Sequence, residues 1–307
     1  MISFLKLIRY KNLLMVLQTL VLTKYAIIDS LISTISDFQF ILLVISILCI
    51  TAGGYVINDV FDVETDKINK PSKVYIDVSI SKKKAFVSYF MLNIIGLIIG
   101  IYISFLKENI AFSLFFIIAI GLLYWYSKTL KKIAIVGNLV TSFLIALTIF
   151  IVYVFEIKNT NTASNLSDAI TNFFTSISVT IYIFIYIIFA FFMTLIREII
   201  KDIEDLRGDY ALKMNTLPII LIGVKRTRNI VLVISSLVFV FILFIIKEEL
   251  VHIPILLWYT LLFVVTPFVW FLYKLFSSKT KKDFHSLSNL IKLIMFFGIL
   301  SMSLIKI

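Results

Sequence analysis

Histidine and cysteine are almost absent from this chain: two His and one Cys in 307 residues. His252 and His285 are far apart and lack any ligand-like spacing, so a histidine-held metal, a haem or a histidine-centred triad has no support. Cys49 sits inside an apolar run and reads as a small core residue. Charge is scarce too, at 15% of residues, with 18 Asp and Glu against 29 Lys and Arg. That balance gives a net charge of +11, yet no soluble basic module exists to bind nucleic acid. What fills the chain is apolar: 61% of residues are hydrophobic, Ile and Phe come in long runs, and the mean hydropathy is +1.05. Such a composition excludes an ordinary soluble domain and implies an all-α, polytopic protein of the lipid bilayer.

Windows of roughly 20 apolar residues fall near 13–30, 38–57, 85–105, 110–126, 133–154, 177–196, 229–246, 252–273 and 287–305, about nine helices. Gln18, Thr19 and Lys24 interrupt the first. Basic residues precede it as in a signal peptide, but no small-residue cleavage site follows, so it reads as a retained helix. Lys and Arg gather on alternate loops. One side carries Lys6, Arg9 and Lys11, then Lys67 to Lys84, Lys128 to Lys132, Arg197 to Arg228 and Lys274 to Lys282. The other carries only Lys24, Lys107, Lys158, Lys247 and Lys306. The positive-inside rule then puts the N-terminus in the cytoplasm and, with an odd helix count, the C-terminus outside. The Asn, Ser and Thr-rich segment Lys158 to Thr175 reads as an extracytoplasmic loop.

Two acidic runs break this pattern. NDVFDVETDK, Asn58 to Lys67, follows directly on an apolar span, where an ionised carboxylate is costly unless it meets water, a cation or a polar cavity. On a helix, Asn58, Asp62, Asp66 and Asp59 fall at about 0°, 40°, 80° and 100°, with Glu64 near 240°. In REIIKDIEDLRGD, Asp205, Asp209 and Glu198 lie within about 60° of Asp202, and Glu204 lies roughly opposite. Both runs read D-x-x-D-x-x-x-D, at one constant offset along the chain, which suggests two structurally similar halves, each presenting an acidic face to a shared cavity. Six facing aspartates repel unless cations lie between them. Carboxylates with an Asn carbonyl are hard oxygen ligands suited to Mg²⁺, which takes its remaining ligands from water and phosphate. A diphosphate at the mouth of a cavity lined with Phe, Ile and Leu implies a hydrocarbon tail, hence a prenyl diphosphate. Its ionisation would give an allylic cation that aromatic faces can stabilise.

These residues resemble a known group, the UbiA superfamily of intramembrane prenyltransferases. NDVFDVETDKINKP, Asn58 to Pro71, is similar to that family's first Asp-rich motif, and KDIEDLRGD, Lys201 to Asp209, followed by TLPIILIG, Thr216 to Gly223, to its second. YSKTLKKIAIVGN, Tyr126 to Asn138, together with Arg9 and Asn12, matches further family positions. The resemblance implies a single domain over 1–307, with nine transmembrane helices around a central cavity and a cytoplasmic cap formed by the loops after the acidic helices. It also implies that Asn58, Asp62 and Asp66 bind Mg²⁺ and diphosphate from one side, with Asp59 nearby, and Asp202 and Asp205 from the other. Asp209 would assist or organise the acceptor. Lys131, with Lys128 and Arg9, would contact the diphosphate, and Tyr126 would face the reactive carbon. By the same reading Tyr124 and Trp125 are interfacial residues, and Gly53 and Gly54 permit close helix packing.

The stretch NKPSKVYIDVSISKKKA departs from the family, where further Arg and Gly are common; Lys70, Lys73 and Lys82 to Lys84 supply charge there without the bidentate geometry of Arg. The wording REIIKDIEDLRGD and KINKP is most similar to the branch that transfers geranylgeranyl from its diphosphate to geranylgeranylglyceryl phosphate. The rival acceptor is an aromatic quinone precursor, and two His make a haem-farnesylating enzyme less attractive. A terpene cyclase of the same family would use the same ionisation. A cation-coupled transporter is the non-enzyme alternative, although its sites belong near the bilayer midplane and not at helix ends beside Lys-rich loops.

Overall fold

The computed structural model describes residues 2–28, 34–156 and 166–305, and helices dominate it throughout. A short α1, Ile2–Leu7, is set off from α2, Tyr10–Leu22, by Arg9, whose φ of 52° lies in the left-handed region. The α2 helix runs on into a π turn, Thr23–Ile27. Next, α3 spans Asp37–Asn69 in 33 unbroken residues. Ser36 starts it with a capping box to Gln39, and Pro71, which cannot continue a helix, follows the C-cap Lys70. Then come α4, Lys82–Leu106, α5, Ser113–Lys128, and α6, Val136–Glu156. After them α7 covers Leu166–Ala211, followed by α8, Leu217–Ile220, and α9, Val224–Ile245. The last are α10, Pro254–Thr260, α11, Thr266–Ser277, and α12, Lys281–Leu300. A π turn, Leu261–Val265, joins α10 to α11 into one rod.

Eight helices among the described residues are long and apolar enough to cross a membrane: Asp37–Asn69, Lys82–Leu106, Ile110–Lys128, Val136–Glu156, Val179–Ala211, Val224–Leu250, Pro254–Ser277 and Lys281–Leu304. The chain is an integral membrane protein. The expected span at 13–30 falls on α2 and its π turn, with 29–30 outside the described residues. The expected loop Lys158 to Thr175 lies outside them up to 165, but from Leu166 it is already helix, against expectation. A polar stretch can still extend a helix that the apolar residues behind it nucleate.

The chain folds as two compact units. The first comprises 1–17, 35–144 and 205–222; the second, 18–34, 145–204 and 223–307. They interleave along the sequence and do not divide it into the two successive halves that the repeated spacing suggests. In the first unit α4 packs along α3, with Gly53 facing α4 and Gly54 facing α5. A Cβ at Gly53 would lie 2.5 Å from Asn93 Nδ2, and one at Gly54 2.7 Å from Leu123 Cδ2, so both glycines serve close packing. Beneath the first acidic run Val56, Ile57 and Val60 join Leu7, Ile76, Ala85 and Tyr89 in a buried core. These α3 residues occupy the side of the helix away from Asn58, Asp62 and Asp66, which is why the acidic side stays outside the core. The second unit carries a partly open apolar cleft lined by Phe241, Ile242 and Leu256 among others, with Tyr186 and Ser301 hydrogen-bonded at its wall at 2.7 Å.

Candidate active site

The end of α3, the break at Arg9, the turn Leu130–Lys132 and the end of α7 all belong to the first unit, and cations from the chain meet its carboxylates there. Arg9 Nη2 donates to Asp59 Oδ1 at 2.7 Å, and its guanidinium lies over the Tyr55 ring, 5.0 Å from the centroid. Burial alone would pull the Arg9 guanidinium down; the Asp59 charge overrides it and holds Arg9 above its ordinary value. Asn58 Nδ2 donates to Asp62 Oδ2 at 2.8 Å, and Lys131 Nζ approaches Asp62 Oδ1 at 2.5 Å. Lys131 and Asp62 are only 9% and 17% exposed. Burial lowers the Lys131 pKa from its ordinary value, and Asp62 opposes that shift. Lys70, directly after α3, pairs its ammonium with Asp205 Oδ2.

The turn that carries Lys131 is itself tied down. Asn215 N–H donates to the Lys132 carbonyl at 2.9 Å, so the segment after α7 and the segment after α5 run side by side. Asp209 is buried, and its carbonyl accepts from Met214 N–H at 2.9 Å, closing the end of α7. Asp66 is half-buried on the same side of α3 as Asp62. Two hard oxygens, Asn58 Oδ1 and Asp205 Oδ1, are buried with no hydrogen-bond partner among the described residues. A buried polar atom left in this way is costly, and both are of the type that ligates a divalent ion. Among the described residues no three His, Cys, Asp or Glu side chains converge as a ready metal cage; Lys131 and Lys70 stand against Asp62 and Asp205 instead.

The sequence of residues 16–300 matches the model of the UbiA prenyltransferase family. The chain belongs to the UbiA prenyltransferase family. Among curated relatives in this family, it is 39% identical over 183 residues to the digeranylgeranylglyceryl phosphate synthase of Saccharolobus solfataricus, covering 59% of this chain and 56% of that one. It is 30% identical over 274 residues to the synthase of the same name from Metallosphaera sedula, covering 88% of this chain and 84% of the relative. The chain thus spans little more than half the length of the first of these relatives. A solved UbiA homolog from Archaeoglobus fulgidus, bound to GPP and Mg²⁺, has the same fold at a TM-score of 0.56 and 14% identity over 98% of this chain and 99% of that one.

The other family-matched residues are less centrally placed. Asp202 lies on α7 in the second unit, just before the unit boundary at Glu204. Asn12 is on the first turn of α2 and gives its backbone N–H to the Arg9 carbonyl at 2.8 Å. Tyr126 is half-buried near the end of α5. Lys128 is exposed, and its ammonium lies over the Tyr124 ring, 5.8 Å from the centroid. Tyr124 also meets Phe61 and Tyr89, ring to ring, at 6.0 and 6.5 Å.

The two spare acids divide. Glu64 points to solvent as the helical wheel requires, 70% exposed beside Lys67. Glu204 is only 8% exposed, and its carboxylate accepts a hydrogen bond from His285 Nδ1 at 2.9 Å within the second unit. The angle of a residue on its own helix does not say which neighbour packs there, so sequence reasoning left Glu204 and His285 without a role.

Proposed function

We propose that this chain transfers a prenyl group from a prenyl diphosphate to a lipid acceptor with the help of Mg²⁺, and that the acceptor is geranylgeranylglyceryl phosphate. The observation that carries the reading is the gathering, within one compact unit, of both acidic helix ends with Arg9, Lys70 and Lys131 and two unpaired buried oxygens. The names of the relatives support the acceptor, and the solved homolog with GPP and Mg²⁺ supports the donor and the ion. In this reading residues 1–307 act as a single domain, the N-terminus and the active site face the cytoplasm, the C-terminus lies outside, and the donor is geranylgeranyl diphosphate.

Asn58, Asp62, Asp66, Asp202 and Asp205 hold the ion, with Asp59 and Asp209 beside them. Bound Mg²⁺ supplies Lewis-acid neutralisation of the leaving diphosphate. Lys131, Arg9 and Lys128 bind diphosphate oxygens, so that the carbon–oxygen bond of the donor breaks with its electron pair going to diphosphate. The Tyr126 ring faces the allylic carbon left behind, where its negative face stabilises positive charge. The acceptor hydroxyl, oriented with the help of Asp209, closes the ether bond and gives up its proton to the released diphosphate.

The test uses purified protein in detergent with Mg²⁺ and radiolabelled geranylgeranyl diphosphate, offering geranylgeranylglyceryl phosphate and a panel of aromatic quinone precursors in separate tubes. Label in an ether lipid is the expected result. Label in an aromatic product would keep the diphosphate chemistry and replace the acceptor; a cyclised hydrocarbon, or intact diphosphate in every tube, would overturn the transfer reaction.

A further inference from the structure

Asn69, the last residue of α3, is buried, and its side-chain amide spans two backbone groups of α7. Nδ2 donates to the Asp205 carbonyl at 2.9 Å, and Oδ1 accepts from Gly208 N–H at 2.9 Å. We infer that Asn69 and Gly208 form a latch that fixes the spacing between the two acidic helix ends, which makes Asn69 a positioning residue for the diphosphate site; this role rests on the function proposed above.

The residue types follow from the geometry. A primary amide holds a donor nitrogen and an acceptor oxygen at fixed separation, and both atoms are used here. Asp would keep the acceptor and lose the donor, while Ala would lose both. Gly208 is explained by space: a Cβ there would lie 2.7 Å from Asn69 Cγ and nearer still to Asn69 Nδ2, closer than real atoms approach. A helical glycine is unfavourable in itself, so its presence in the last turns of α7 calls for such a contact. The latch also sits where it can act on the site. Asp66 precedes Asn69 by three residues on α3, and Asp205 and Asp209 flank Gly208 on α7, while Lys70 next door grips the Asp205 carboxylate. One helix thus holds the other through contacts that the chain makes by itself. Groups that orient metal ligands from behind typically change metal affinity by about 10- to 100-fold when removed.

The experiment compares full-length wild type, Asn69→Ala, Gly208→Ala and the double variant, purified in detergent. Thermal unfolding is followed in each, and Mn²⁺ uptake is titrated by electron paramagnetic resonance with inorganic diphosphate present. Each single variant should weaken Mn²⁺ uptake by about 10- to 100-fold, and the double variant should be no worse than the worse single one, because both changes remove the same contact. In the double variant the methyl group added on α7 has room where the amide stood, so that protein remains informative if Gly208→Ala alone folds poorly. Wild-type uptake in the folded variants, a loss confined to melting temperature, or losses that multiply in the double variant would each overturn the latch's role. Wild-type protein that takes up no Mn²⁺ would overturn the metal site on which that role rests, a result distinct from uptake that ignores the latch.

Discussion

Replacing Lys131 with Met removes the ammonium from Asp62 while keeping most of the side chain's volume. The pair is 2.5 Å apart, with 9% and 17% of the side chains exposed. Breaking a well-buried pair costs about 3–5 kcal/mol, because the remaining charge has lost its partner. Asp62 retains the Asn58 amide at 2.8 Å and some contact with water, so the cost should fall to about 2 kcal/mol. A divalent ion that binds Asp62 would offset much of this: saturation at 100 times the dissociation constant contributes about 2.7 kcal/mol. Thermal unfolding in detergent, in EDTA and in millimolar Mg²⁺, measures both effects. Lys67→Met is the control, since its partner Glu64 is 70% exposed and Lys67 itself 57%. Such a surface pair contributes about 0.5 kcal/mol or less. Lys131→Met should melt several degrees below Lys67→Met in EDTA, and the gap should narrow in Mg²⁺. Equal melting of the two in EDTA would refute the idea that Lys131 neutralises Asp62 in the fold.

Other expectations separate residues that look alike in sequence. Glu64→Ala should leave melting within about 0.5 kcal/mol of wild type, whereas Glu204→Ala should cost about 1–2 kcal/mol by stripping His285 of its partner; matching values would mean the Glu204–His285 contact is not populated. Asp62→Asn and Asp202→Asn should abolish prenyl transfer with folded protein retained, Asn being chosen over Ala so that Lys131 keeps an oxygen to approach; turnover near wild type in either would remove that residue from the metal set. EDTA should stop turnover and added Mg²⁺ restore it, as read by diphosphate release; undiminished release in chelator would eliminate the divalent ion.

Hydropathy located the membrane helices well, because a span of apolar residues in lipid has few alternatives to helix. It missed the start of α7, since LSDAITNFFTS carries no apolar run and joins the helix through its neighbours. The acidic faces were legible because helical geometry alone places Asp59, Asp62 and Asp66 together. Partnership was not. Lys67 and Lys70 are three residues apart and chemically identical, yet one meets Glu64 at the surface and the other reaches Asp205 on a different helix. Asn69 was visible only as a letter in a motif; its role depends on the approach of α7, which no local pattern encodes. The buried pair between Lys24 and Glu156, 2.8 Å apart in the second unit, was equally hidden, with Lys24 read as a mere interruption of an apolar window.

The ion pairs of Arg9, Lys131 and Lys70 with Asp59, Asp62 and Asp205 bear on how the protein fares in the cell. Its acidic helix ends are balanced by amino acids delivered with them during synthesis, so insertion and folding can finish without waiting for the supply of a soluble ion. Magnesium starvation should then leave a dormant stock in the membrane, ready to resume work within the time an ion takes to diffuse in, with no new protein made.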